Sequence, residues 1–110
     1  MKSKVALVRA SAETIHEDIA RVMDLGGAAQ ALPQGSQVIL KDNITWHLPF
    51  LSANATPWQL EGAVRWLRDH EREMVAVHND TVVTAPREGL RNLKLQPIYE
   101  AYGIEQFFVN

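Results

Sequence analysis

The sequence predicts a single α/β domain, a three-layer α/β/α sandwich around a mostly parallel sheet of about four strands. Short apolar runs alternate with amphipathic segments of helical period, in the order β-α-β-α-β-α-β. Strands that alternate with helices are joined by right-handed crossovers, which place helices on the faces of a parallel sheet. A length of 110 residues suits one domain with one hydrophobic core.

The first strand and the first helix are expected near the N-terminus. Val5–Val8 is a short apolar run of the kind found in strands that are covered on both faces. Thr14 and Glu17 have the spacing of a capping box at a helix start, and Gly26-Gly27 is expected to end that helix. The apolar face of the helix comprises Ile15, Ile19, Val22 and Met23.

A second strand, a long loop and a second helix come next. Val38–Leu40 is the expected strand, and the loop runs from residue 42 to residue 55. Thr56, Pro57 and Gln59 predict the helix start, with a hydroxyl N-cap, proline at the first position and glutamine at the third. The buried stripe of this helix is expected to contain Leu60, Ala63, Val64 and Leu67.

The C-terminal third supplies two further strands, Met74–Val77 and Phe107–Val109. Residues 79–96 are the hardest to assign, and within them Thr81–Thr84 is either a short strand or an extended loop. Proline is expected to begin a short helix over residues 97–102.

Composition excludes several classes of function. The net charge of −2 gives no basic excess for binding phosphate backbones, so we expect no nucleic-acid partner. The absence of cysteine excludes disulfides, cysteine-ligated zinc and thiol catalysis in this chain. No apolar stretch approaches the roughly 20 residues that span a bilayer, and the N-terminal apolar run is too short for a secretory signal. We expect a cytoplasmic protein without a membrane partner.

Polar residues follow the second and third expected strands. Lys41, Asp42 and Asn43 come after the second strand, and Asn79 and Asp80 after the third. In open α/β sheets, ligands bind outside the carboxyl ends of the strands. We therefore expect these five residues to bind a small ligand or a metal ion, with the lysine as clamp for an anion or carbonyl. The carboxylates would act as metal ligands or acid–base groups and the amides as orienting donors. The alternative for each residue alone is capping of a turn.

Known motifs for cofactors are missing. No His-x-x-x-His pair is present, and a metal site on His47, His78 and Asp80 is geometrically allowed but less favoured than surface or capping roles. Neither glycine-rich phosphate loops nor a Gly-x-Ser-x-Gly elbow occur, which argues against common nucleotide sites and against a typical hydrolase. The cofactor and any reaction stay unassigned.

The long loop offers a second class of function. Its apolar side chains are Trp46, Leu48, Phe50 and Leu51. They either complete the core or form a contact surface. The alternative hypothesis is thus a non-catalytic interaction or homo-oligomerisation module that uses residues 46–51. A further alternative is that residues 1–110 are the N-terminal portion of a longer domain, because Asn110 directly follows an expected strand.

Several segments resemble the start of the domain of unknown function 362 family. The likeness includes Val5–Val8, Lys41 with Asn43 after the second strand, and Thr56-Pro57 at the helix start. The family typically has Lys-Pro-Asn where this chain has aspartate in the middle. It also usually has a glycine followed by an acidic residue where this chain reads His-Asn-Asp after the third strand.

The resemblance covers nearly the whole chain but only about the first half of a typical family domain. Family members are often joined to bacterial-type ferredoxin modules, which implies redox or metal-linked work, although the biochemical activity of the family is unassigned. Because this chain lacks cysteine, the resemblance implies that any iron–sulfur cluster is held by a missing region or by a partner.

Overall fold

A computed structural model describes residues 2–50, 52–79 and 85–109. The helices are a 3-10 turn at Ala12–Thr14, α1 (Ile15–Gly26), α2 (Ala28–Ala31), α3 (Pro57–Asp69), α4 (Pro86–Asn92) and α5 (Gln96–Tyr102). The strands are β1 (Gln37–Leu40), β2 (Glu73–Asn79) and β3 (Gln106–Val109). Within the described ranges, no helix has the length and apolar character needed to cross a membrane.

The three strands form one parallel sheet in the order β1-β2-β3. Ile39 of β1 lies opposite Val75 of β2, and Val77 of β2 lies opposite Phe107 of β3. The α/β class and the parallel sheet are therefore confirmed. The strands expected at Val38–Leu40, Met74–Val77 and Phe107–Val109 are all present, and each begins one residue earlier than expected.

One face of the sheet carries the hydrophobic core. Ala76 of β2 is fully buried there, with α3 and α5 packed against it. The core residues from the helices and the loops next to them are Leu60, Val64, Leu90, Leu93, Leu95, Ile98, Tyr99 and Ile104. Helix α3 begins as predicted, because Thr56 and Gln59 form the reciprocal hydrogen bonds of a capping box.

The other face of the sheet is open in the described part of the chain. Side chains alternate between the two faces of a strand. On the edge strands the residues that alternate with the core are exposed, while Val75 and Val77 of the central strand are half-buried. Ile39 is 64 %, Phe107 44 % and Val109 43 % exposed. A three-layer sandwich would have a helical layer over these residues. None of the described helices covers them, so helices pack on only one face of the described sheet.

The strand expected at Val5–Val8 is wrong, and the sheet has three strands instead of about four. Val5 and Leu7 are 78 % and 89 % exposed. Val8 instead lies beside Ile19 and Val22, at a crevice against α1. An apolar β-branched run favours extended backbone, but a strand also needs the edge of a neighbouring strand to pair with. This segment lies alongside α1 and does not pair with β1.

The start of α1 also differs from expectation. Thr14 forms no side-chain cap with the helix backbone, and Glu17 does not complete a capping box. Asp18, and not Glu17, bonds back to the residues before the helix. Its carboxylate accepts hydrogen bonds from the Thr14 hydroxyl at 2.7 Å and the Ser11 N–H at 3.1 Å. These bonds lower the pKa of Asp18. Gly27 ends the helix in the left-handed conformation, as predicted.

Candidate functional site

A cleft of about 450 Å³ opens at the carboxyl end of β1. Its walls are residues 40–43 at the end of the strand, residues 52–55 of the long loop, and the α3 side chains of Gln59, Leu60 and Ala63. This location is the one that parallel α/β architecture favours for ligands. The first turn of α3 therefore meets the end of β1 across the cleft.

Asn54 holds the long loop in place. Its side-chain oxygen accepts hydrogen bonds from the N–H groups of Thr45 at 2.8 Å and Trp46 at 3.2 Å. Its amide nitrogen donates to the carbonyl oxygens of Leu48 at 3.0 Å and Phe50 at 3.1 Å. Because this side chain is buried and binds the backbone at four points, it fixes a loop that has no regular secondary structure.

Asn43 adds a second clamp inside the same loop. Its amide nitrogen donates to the Ala53 carbonyl at 2.7 Å and to the Thr45 hydroxyl at 3.1 Å. The N–H of Ala55 in turn donates to the Asn43 carbonyl at 2.8 Å. These hydrogen bonds join the two ends of the loop beside the cleft. The Asn43 side chain therefore stabilises the loop and also lines the cleft.

Asp42 lies at the buried end of the cleft and is 7 % exposed. The hydroxyl of Tyr99 donates a hydrogen bond to its Oδ2 atom. Burial raises the pKa of Asp42, and the Tyr99 hydrogen bond and the charges of His78 and Lys41 oppose this shift without cancelling it. Burial, together with the neighbouring Asp42 charge, also raises the pKa of Tyr99, so this hydroxyl keeps its proton.

Lys41 is exposed and lines the same cleft. Its ammonium group donates to the carbonyl oxygen of Asp42 at 3.1 Å. That bond uses one of the three ammonium donors. The cleft therefore has a full positive charge at its mouth and, at its buried end, a carboxyl group whose ionisation is disfavoured.

His78 lies in the core behind Asp42 and is 1 % exposed. Its Nε2 atom is 3.0 Å from Oε1 of Gln106, and its ring contacts those of Tyr99 and Phe108. The Nδ1 atom has no hydrogen-bond partner among the described residues. Burial lowers the pKa of His78, which favours the neutral ring.

The structure brings together three of the five residues predicted for the site. Lys41, Asp42 and Asn43 line the cleft. Asn79 is exposed at the end of β2 and does not line it. Asp80 lies outside the described residues. In the part of the chain that the structure describes, no three His, Asp or Glu side chains are grouped to hold a metal ion.

Sequence reasoning did not find Tyr99 or Asn54, and it considered His78 only as part of a less favoured metal site. Tyr99, His78 and Asn54 are each nine-tenths or more buried and each makes polar contacts that shape the site. The contacts of Tyr99 and His78 gave no signal, because their partners lie 57 and 28 residues away in the sequence. The partners of Asn54 are only four to nine residues away, and the tendency of asparagine to bond nearby backbone was the available signal there. A buried tyrosine, by contrast, is a general indication of a hydrogen-bond partner nearby.

The apolar loop is partly exposed. Trp46 is 46 %, Leu48 38 % and Phe50 51 % exposed, and the rings of Trp46 and Phe50 have centroids 5.7 Å apart. Leu51 lies outside the described residues. Three of the four side chains are therefore at the surface instead of completing the core, and a contact surface made from them stays a prediction.

Comparison with family models, with curated proteins and with solved structures found no match. The function is therefore inferred from the geometry of the cleft and of the surface around it.

Proposed function

We propose that the chain binds a small anionic ligand, through a carboxylate or phosphate group, in the cleft at the carboxyl end of β1. The observation that carries the proposal is the placement of Lys41 and the first turn of α3 on the same cleft. A lysine ammonium provides a full charge, and the dipole of a helix provides roughly half a positive charge at its N-terminus. The Gln59 N–H is already bonded to Thr56, so α3 acts through this dipole and not as a hydrogen-bond donor. Both favour an anion between them.

The state of Asp42 supports the same ligand class. An ionised carboxylate in the cleft would repel an anion, but the pKa of Asp42 is raised by burial. In addition, Oδ2 of Asp42 already accepts a hydrogen bond from the Tyr99 hydroxyl. Lys41 retains two free donors for the ligand beyond its bond to the Asp42 carbonyl.

Titration with inorganic phosphate and with succinate, followed by nuclear magnetic resonance of the cleft amides, tests the proposal. Lys41→Ala is expected to weaken binding by roughly tenfold, as expected for one lost charge-assisted hydrogen bond. Its unfolding midpoint should not change, because Lys41 is exposed.

Lys4→Ala is the matched control, since Lys4 is exposed and does not line the cleft. Unchanged binding in this control is expected. If Lys41→Ala binds both anions as tightly as the parent protein, or loses stability in proportion to binding, the anion site is refuted.

The second candidate is an interaction or homo-oligomerisation module that uses loop residues 46–51. The exposure of Trp46 and Phe50 favours it, because apolar surface of this kind tends to mark protein contacts. Trp46→Asp is expected to halve the mass of a dimer in light scattering. Trp58→Asp is the control, because Trp58 is also exposed but lies on α3. An unchanged mass in Trp46→Asp contradicts this candidate.

Membership in the domain of unknown function 362 family and a link to ferredoxin-type redox work stay predictions. A cytoplasmic location also stays a prediction. The proposal concerns binding and assigns no reaction.

A further inference from the structure

A second cleft, of about 270 Å³, lies between α4, α5 and β3. Helix α4 contributes Arg87 and Arg91, α5 contributes Gln96 and Glu100, and β3 contributes Gln106. It shares no lining residue with the cleft of Lys41. Its volume is just below the roughly 300–1,000 Å³ typical of ligand clefts, which restricts it to a small molecule.

The two arginines form one wall of this cleft. They are four residues apart on α4, so they lie on the same helical face. The guanidinium carbon of Arg87 is 3.7 Å from the centroid of the Phe108 ring, a cation–π contact that holds it against β3. Because a guanidinium presents paired donors that match a carboxylate, this wall suits a carboxylate ligand.

Glu100 gives the cleft a negative group as well. One of its oxygens accepts a hydrogen bond from the Gln96 amide at 3.1 Å. A carboxylate offers about four acceptor positions, and this bond uses one of them. Two guanidinium groups and one carboxylate leave the lining with a charge of about +1. A ligand that carries both a carboxylate and an ammonium group complements this set better than a simple anion.

We propose that this cleft binds a free α-amino acid, with the carboxylate on Arg87 and Arg91 and the ammonium group on Glu100. This site is separate from the anion cleft proposed at the end of β1, and neither proposal depends on the other.

A chain of hydrogen bonds connects the proposed ammonium position to the core. An ionised Glu100 only accepts, so Gln96 must donate to it through its amide nitrogen. The Gln96 oxygen then accepts from the Gln106 amide at 3.1 Å, and the Gln106 oxygen faces Nε2 of His78 at 3.0 Å. In this order Nε2 carries the ring proton and Nδ1 does not. A ligand that binds to Glu100 is therefore expected to shift the nitrogen resonances of the His78 ring.

The experiment is a titration of the full chain, labelled with nitrogen-15, with each of the twenty free amino acids up to ~10 mM, a range that detects millimolar dissociation constants. At least one amino acid is expected to shift the His78 ring nitrogens and the α4 amides to saturation. The α-carboxamide and the N-acetyl derivative of that amino acid should each bind at least tenfold more weakly, because each lacks one of the two charges.

Two variants locate the site. Arg91→Gln is expected to weaken binding at least tenfold, and Glu100→Gln should remove the preference for the free amine over the N-acetyl derivative. Arg65→Gln is the matched control, because Arg65 is exposed on α3 and pairs with Glu61 away from this cleft. Lys41→Ala should also bind normally, which separates this site from the anion cleft.

The proposal is overturned if no amino acid binds in that range, or if Arg91→Gln and Glu100→Gln both bind as the parent protein does. Equal binding of the free amino acid and both blocked derivatives would also overturn it. If one variant unfolds, the other variant and the derivatives still decide the question.

Discussion

The Tyr99 hydroxyl on α5 donates a hydrogen bond to the Asp42 carboxyl group at the end of β1, 57 residues earlier in the chain. Both residues are nine-tenths or more buried. The bond fastens the helix that covers the sheet to the strand end that forms the cleft, so one contact contributes to the core and to the site.

Removal of this donor is expected to destabilise the fold. Tyr99→Phe leaves the buried Asp42 without its hydrogen bond, which costs about 1–3 kcal/mol of unfolding free energy. Urea unfolding followed by tryptophan fluorescence measures the loss. Tyr102→Phe is the matched control on the same helix, because the Tyr102 hydroxyl donates to a partly exposed Glu61 at 2.9 Å. Its cost should be at most about 1 kcal/mol, and equal losses in the two variants would contradict the account.

Asp42 also predicts a pH dependence of stability. Its pKa is raised in the folded protein above 3.8, the ordinary value for an aspartate, chiefly by burial. The folded state therefore binds this proton more tightly than the unfolded state does. Stability from this group is present in full below 3.8 and declines as the pH rises through the folded pKa.

Asp42→Asn isolates this contribution, since asparagine keeps an acceptor for Tyr99 but has no titratable proton. The difference in unfolding free energy, parent minus variant, should fall as the pH rises from 3.5 to 7. Urea unfolding of both proteins at matched pH values measures it. A difference that rises over this range would show that the folded pKa is lowered instead.

Local patterns were sufficient to predict much of the sheet and one helix. The runs at Val38–Leu40 and Phe107–Val109 lie within observed strands, and the Thr56–Gln59 box begins α3. These signals succeed because the capping hydrogen bonds and the side-chain alternation are made within a few residues. Val5–Val8 failed because its pattern specifies extended backbone but not whether a neighbouring strand is available.

The site could be predicted only in part for a related reason. Lys41 and Asp42 follow directly from the rule that ligands bind at the carboxyl ends of parallel strands. The partnership of Asp42 with Tyr99, and the buried position of His78 behind it, depend on how α5 packs on the sheet. Residue types and their spacing cannot predict a contact between residues 57 positions apart, such as the one between Asp42 and Tyr99.

Asn54 is expected to be the residue on which the cleft loop depends most. Asn54→Ala removes two accepted and two donated hydrogen bonds to the loop backbone, so it should cost about 2–3 kcal/mol. The amide of Trp46 should exchange with solvent faster, as measured by hydrogen exchange. Asn92→Ala is the control, because the Asn92 side chain donates a single bond, to the His47 carbonyl at 2.8 Å. Slower or unchanged exchange at Trp46 would show that Asn54 does not hold the loop.

Gly62 sets the distance between α1 and α3. A Cβ atom at this position would lie 2.5 Å from Cδ1 and 3.0 Å from Cβ of Ile19, so an alanine cannot fit unless the Ile19 side chain or α1 itself shifts. Gly62→Ala gains up to about 1 kcal/mol of helix propensity but costs about 1–3 kcal/mol through overpacking. We therefore expect a net destabilisation on the order of 1 kcal/mol in urea unfolding.

The sign of that effect should reverse when the obstruction is removed. In an Ile19→Ala background the two nearest atoms, Cδ1 and Cγ2, are gone and only Cβ remains, at 3.0 Å, so a shift of a few tenths of an ångström relieves the contact. The gain in helix propensity, up to about 1 kcal/mol, should then outweigh this small cost, and Gly62→Ala should stabilise the protein. The four proteins form a double-mutant cycle whose interaction energy measures the packing of α1 on α3. If Gly62→Ala has the same effect in both backgrounds, Ile19 does not restrict the glycine, and the close approach of the two helices at this point is refuted.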